Sequence, residues 1–288
     1  MIDLVLAAKP HNLGGFEVGR VLPAITLRNV GPFVFFDHFG PAIIPSGLSR
    51  DADVRPHPHI GLSTLTYLLC GEITHRDSLG SDVAIRPGEV NWMTAGRGIT
   101  HSERFETLRR DGGVLHGLQA WIALPDDAEE IEPTFAHHGP DDLPTYELPG
   151  LWARLLAGEA FGAKAAVKAH SPMFYVHWRL SAGAQAQIPA QYPERAAFVA
   201  AGSVEIAGQT FGAGQMVVFL PGEPILVTGV ADADVMLLGG EPVGPRFLEW
   251  NFVSSSRARI QQAKADWRAG RFKLPDHDDN EFIPGPEV

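Results

Sequence analysis

Two short runs hold the residues best suited to chemistry. One is Arg55-Pro56-His57-Pro58-His59; the other is Gly96-Arg97-Gly98-Ile99-Thr100-His101-Ser102-Glu103. A residue before proline is driven out of the helical region, so Pro58 holds His57 extended. Side chains two apart on an extended backbone share a side. His57 and His59 therefore present two imidazoles to one point, and His101 and Glu103 add an imidazole and a carboxylate in the same spacing. Gly96 and Gly98 allow close backbone approach just before the second pair. On two strands of one barrel these side chains make a three-nitrogen, one-oxygen set. Such a set suits a divalent transition metal with coordination positions left open. Either pair alone reads as ordinary histidines; both pairs, flanked by turn glycines, read as a metal site.

Other residues weigh less. Asp37-His38 either lines an entrance or packs a loop. His116 is read equally as a group supporting a ligand or as a core histidine. Phe36, Trp92 and Met93 read as core before they read as a substrate wall, and Arg97 as a hydrogen-bonding neighbour of the site. Cys70 reads as a small buried hydrophobe. His137-His138 reads as solvent-exposed, and Asp276-His277-Asp278-Asp279 as a solvated acidic end with at most weak metal affinity.

The elements that must carry these residues are short strands. Phe33–Phe36, Leu62–Leu69, Asp82–Ile85, Glu89–Met93 and Leu115–Leu124 are apolar or alternating, with Gly and Pro between them. That pattern predicts a sandwich or small barrel without a helix in this half. Pro125–Pro133 and Gly139–Pro144 read as an acidic, proline-rich, solvated connector. Strand-like runs resume at Leu151–Leu156, Met173–Leu180, Ala196–Ala200, Val204–Ala207, Met216–Leu220, Ile225–Val230 and Val235–Leu238. Pro221-Gly222 echoes Pro87-Gly88, and Ala201-Gly202 echoes Cys70-Gly71, so this half reads as a diverged second copy. Counting back twelve from Gly202 reaches Ala190, with Ile188 two before it, and neither can bind a metal. Ser254-Ser255-Ser256 then offers N-caps, and Ile260, Ala263 and Trp267 recur at helical spacing. These predict one amphipathic helix over Arg257–Ala269 that packs on a barrel. The expected division is 1–130, a first barrel with the metal site; 131–145, the connector; and 146–288, a metal-free barrel plus the helix.

The chain has 288 residues, enough for about two domains. Its 23 Lys and Arg against 34 Asp and Glu give a net charge of −11, which argues against direct nucleic-acid binding. One cysteine excludes a disulfide-built fold. The first residues lack the cationic start of a signal peptide, and no apolar run reaches ~20 residues, so no membrane span and a cytoplasmic location are expected.

His57-x-His59 followed by Gly71 resembles the first motif of the cupin superfamily, with Thr64 in the place of its usual Glu. Gly96-x-Gly98-x-x-His101 resembles the second, with Gly96 where proline is usual, and Glu103 can replace the absent carboxylate. This pattern is similar to the pirin family. So are Phe35-Phe36-Asp37-His38-Phe39, His57-Pro58-His59-Ile60-Gly61, Trp250-Asn251-Phe252-Val253-Ser254-Ser255-Ser256 and Ala263–Phe272. The resemblance implies an all-β bicupin, two β-barrels face to face, with one mononuclear iron(II) in the first, held by His57, His59, His101 and Glu103. It also implies quercetin 2,3-dioxygenase activity on a flavonol and dioxygen. In that scheme we expect Glu103 also to loosen and take the flavonol 3-hydroxyl proton. A different class of function, also suggested by resemblance, is a metal-dependent regulator that binds a transcription factor or metabolic enzyme.

Overall fold

Alternating and continuous apolar runs become antiparallel strands throughout the computed structural model, which describes residues 1–13 and 17–286. The chain divides into two compact units. One comprises residues 10–18, 39–137 and 243–288; the other comprises 1–9, 19–38 and 138–242. Contacts therefore split the chain differently from the sequential division at 1–130, 131–145 and 146–288. The physical reason lies at the ends. Ile2–Ala7 pairs with Gln215–Phe219, and the apolar stripe of the last helix packs on Ile60 and Phe252.

The unit containing the two histidine runs holds a four-stranded sheet in the order Val54–His59, Ile99–Arg104, Ile73–Asp77, Asp82–Ile85. A larger sheet includes, side by side, Thr134–His138, Val90–Thr94, Leu62–Cys70 and Gly113–Ala123. Leu68, Ile73, Ile85, Phe105, Leu108 and Leu115 are among the buried side chains of its core. Leu108 sits on a helix not foreseen in this half, Glu106–Asp111. The acidic connector is not a solvated linker either. Thr134–His138 is a sheet strand, and Glu129 is buried, accepting from Ser254 Oγ at 2.9 Å and the Ser255 amide at 2.7 Å while it pairs with Arg246. The predicted terminal helix runs Arg257–Arg268, its Ser256 hydroxyl accepting from the Arg259 amide, with Ile260, Ala263 and Trp267 buried. The acidic tail is likewise not a free end. Asp278 is buried against Arg104 and Ser102.

The other unit repeats the plan. Its four-stranded sheet runs Gln185–Ile188, Ile225–Gly229, Ser203–Ile206, Gln209–Gly212. Its larger sheet includes Ile2–Ala7, Gln215–Phe219, Glu194–Ala201, Ala233–Gly240, Met173–Leu180, Leu151–Ala160 and Thr145–Leu148. No helix of the described residues is long and apolar enough to cross a membrane.

Candidate metal centre

The Ile99–Arg104 strand lies between its two neighbours and sets the site. In register, His101 stands opposite His57 on one side and Asp77 on the other; Ile99 stands opposite His59, and Glu103 opposite His75. Opposed residues and residues two apart share a face. That face therefore carries three pairs of the same spacing: His57/His59, His101/Glu103 and His75/Asp77. Two glycines let the chain approach closely enough to build it. A Cβ on Gly61 would lie 2.0 Å from the Val253 carbonyl, and one on Gly96 would lie 2.1 Å from that of Ile131; both have positive φ.

His57, His59 and His101 are buried, and their ligand atoms lie within 4.8 Å of one another. Backbone acceptors fix two of the rings. The Nδ1–H of His57 donates to the Arg55 carbonyl at 2.9 Å, and that of His59 to the Asn251 carbonyl at 3.0 Å. Each ring then carries its lone pair on Nε2. His59 Nε2 stands 3.1 Å from His101 Nε2. Burial, against the pull of the Arg55 carbonyl, drives the His57 pKa down to about 4. Burial also holds His59 and His101 well below the usual imidazole value, and the neighbouring histidines add to the effect. Neutral imidazoles with fixed tautomers and converging nitrogens are what a divalent metal requires, with the outer nitrogens held by backbone oxygens. The residues present fit such an ion.

Glu103 is not part of that close cluster. Its Oε1 lies 3.9 Å from His101 Nδ1, on the far edge of that ring from His59. Burial pushes its carboxyl up to about 8, against the opposing pull of Arg104. A cation would relieve that penalty, because a nearby positive charge favours the carboxylate.

The Pirin profile matches residues 15–122, and the Pirin C-terminal cupin domain profile matches 175–273. A Caulobacter vibrioides pirin-like protein is 65% identical over 288 residues, the whole of both chains. The chain belongs to the pirin family. A second relative of this pirin, from Pseudomonas aeruginosa and named as a candidate quercetin 2,3-dioxygenase, is 38% identical over 94% of this chain and 84% of its own. The crystal structure of a quercetin 2,3-dioxygenase from Acinetobacter baumannii superposes with a TM-score of 0.91 at 34% identity, covering 99% of this pirin and 95% of that chain. The fold is a bicupin.

The remaining candidates of this pirin fall outside the cluster. The Asp37 carboxylate is held by Arg20 through two bonds, at 2.9 and 2.8 Å. His38 packs edge-on against Phe198, and Phe36 against Tyr175 and Phe198. His116 lies in register with Cys70 at a strand end. Trp92 donates to Thr94, and Met93 is core. Arg97 does not turn to the site: it is largely exposed and pairs with Glu132 at 2.6 Å. His137 Nδ1 meets Asn91 Oδ1 at 2.8 Å.

Four neighbours of the site were not anticipated. His75 and Asp77 have the same spacing as the chosen pairs and lie between Gly71 and Gly80, but they fall outside both motifs that marked those pairs. Trp121 stands edge-on to His59 with ring centroids 4.9 Å apart, and Phe135 stacks on His75 at 4.3 Å. In the repeated unit, register places Ala186, Ile188, Val204, Ile206, Val227 and Gly229 where this face has His57, His59, His75, Asp77, His101 and Glu103. That face is hydrocarbon. The equivalent of the first pair is Ala186/Ile188, two residues earlier than the count from Gly202.

Proposed function

We propose that this protein is a mononuclear iron(II) dioxygenase that opens the ring of flavonols such as quercetin with release of carbon monoxide. The observation that carries the reading is the convergence of three buried, neutral histidines, two of them with tautomers fixed by backbone carbonyls, in a chain similar to proteins named for that activity. His57, His59 and His101 bind the ion, and Glu103 turns toward it as the fourth ligand. Iron(II), when bound, supplies the electron chemistry by which dioxygen adds to the deprotonated flavonol.

The chain does the rest. The imidazoles leave coordination positions open to substrate. Trp121 and Phe135 place apolar surface beside the cluster and limit water. Glu103 takes the proton of the flavonol 3-hydroxyl; a bound cation would keep it a carboxylate and so able to accept. The protein works in the cytoplasm, with a flavonol and dioxygen as its reactants. The test is oxygen uptake and carbon monoxide release by iron-loaded protein with quercetin. Both should appear in equal amounts; iron-loaded protein that consumes no oxygen between mildly acidic and mildly alkaline pH overturns the reading.

A further inference from the structure

His75 and Asp77 are buried beside the metal cluster, and neither belongs to its ligand set. Asp77 is fixed first. Its Oδ1 accepts from the amides of Leu79 at 2.9 Å and Ser81 at 3.1 Å. Its Oδ2 lies 3.0 Å from His75 Nε2. A carboxylate only accepts, so His75 Nε2 carries the proton. With a single proton on its ring, His75 then has its lone pair on Nδ1. That atom faces His101 Nδ1 at 3.4 Å. His101 must be the donor in this contact, which leaves its own lone pair on Nε2, the atom that faces His59. Phe135, stacked on His75 with an interplanar angle of 8°, holds the His75 ring in its plane.

We infer that Asp77 and His75 form a positioning relay that sets the tautomer and orientation of His101, so that all three ligand histidines aim Nε2 at the metal. For His57 and His59 a backbone carbonyl does this task; for His101 it falls to a side-chain chain of two bonds. The inference rests on the metal-site reading, yet it concerns a proton whose position can be observed without metal. Outer partners of metal-bound histidines raise metal affinity by typically 10–100-fold.

Asp77→Asn gives the sharpest test. The two backbone amides still require an oxygen at the Oδ1 place, so the new amide group turns its NH2 toward His75 Nε2. His75 must then accept there and carry its proton on Nδ1. The proton of His101 is thereby displaced to Nε2, where it blocks the metal. The proposed measurement is the ring ¹⁵N spectrum of His101 in metal-free protein, followed by titration with cobalt(II) against a competing chelator. Wild type should show His101 protonated at Nδ1. Asp77→Asn should show it protonated at Nε2, with cobalt(II) bound about 10–100-fold more weakly. His75→Phe, which keeps the stacked ring but no acceptor, should weaken cobalt(II) similarly. His75→Asn, which returns an acceptor near Nδ1, should restore part of the loss.

Wild type with its His101 proton on Nε2 overturns the relay whether or not any variant folds. So does Asp77→Asn with unchanged tautomer and cobalt(II) affinity within twofold of wild type. Wild-type protein that takes no cobalt(II) defeats the metal reading instead, and the tautomer of His101 then still decides whether the relay exists.

Discussion

His59 and His101 turn their Nε2 atoms toward each other at 3.1 Å, while the Nδ1 of each faces an outer partner. Two lone pairs at that separation repel unless a cation lies between them. A cation bound between them would offset that repulsion and hold the two strands together.

One transition-metal ion should bind per chain. The face that holds it here is occupied in the repeated unit by Ala186, Ile188, Val204, Ile206, Val227 and Gly229, none of which offers a side-chain ligand. Elemental analysis of loaded, desalted protein should give a ratio near one. A ratio near two would contradict the assignment.

His101→Ala should lose metal and keep the fold. The removed group is itself a ligand, so the loss of affinity should exceed the roughly 10–100-fold typical of an outer partner. Each unit has an apolar core of its own, unlike a zinc finger whose folding energy is the metal. Circular dichroism should show wild-type strand content, and an unfolded spectrum would refute this division of labour.

Metal-free protein should lose stability on both sides of about pH 6.5. The three ligand histidines have lowered pKa values, His57 from 6.5 to about 4, so the unfolded chain binds more protons below 6.5 and stability falls as the pH drops. Glu103 is raised from 4.5 to about 8, so the folded chain binds more protons between those values and stability falls as the pH rises. Where the windows overlap, three imidazoles outweigh one carboxylate. Urea unfolding across this range should show the maximum, and Glu103→Gln should remove the decline between 6.5 and 8. A variant curve parallel to wild type would show that Glu103 does not titrate as described.

Glu103→Gln also separates catalysis from binding alone. Glutamine keeps the shape and one oxygen but cannot accept the substrate proton. Turnover of quercetin per bound iron should fall by about 10²-fold or more. A rate per iron within a few-fold of wild type would remove Glu103 from the proton transfer.

Asp278→Ala should destabilise the unit that holds the histidine cluster by about 3 kcal/mol, at the low end for a broken buried ion pair. Arg104, 1% exposed, would lose its closest anion but keep Asp53 at 3.4 Å and Glu281 at 3.0 Å. Urea unfolding measures this, and a change below about 0.5 kcal/mol, the range of an ordinary surface substitution, would mean that the tail is not held through Asp278.

What was readable beforehand follows from how local each signal is. Strands such as Met173–Leu180 and the Ile260/Ala263/Trp267 stripe carry their periodicity within themselves. The pairs His57/His59 and His101/Glu103 stood out because glycine or proline flanked them. His75/Asp77 has the same spacing and its own glycines, Gly71 and Gly80, but neither residue falls within the two motifs that singled out the other pairs. Asn251 supports His59 through its backbone carbonyl, a group every residue has, so its identity carries no signal. Asp278 read as solvated because acidic runs usually are; its burial was decided by Arg104, 174 positions away. The pairing of Ile2–Ala7 with Gln215–Phe219 is equally remote, and no local pattern announces it.

The discontinuity of the unit that holds the histidine cluster has a consequence for biosynthesis. Residues 39–137 leave the ribosome early, but 243–288 leave last, after the whole of 138–242 has emerged. That final stretch brings the Asn251 carbonyl that orients His59 and the Trp267 helix that packs behind Ile60. A nascent chain can thus display both histidine runs for much of its synthesis without having a finished site. A chain truncated before residue 243 would keep His57, His59 and His101 without the segment that orients His59.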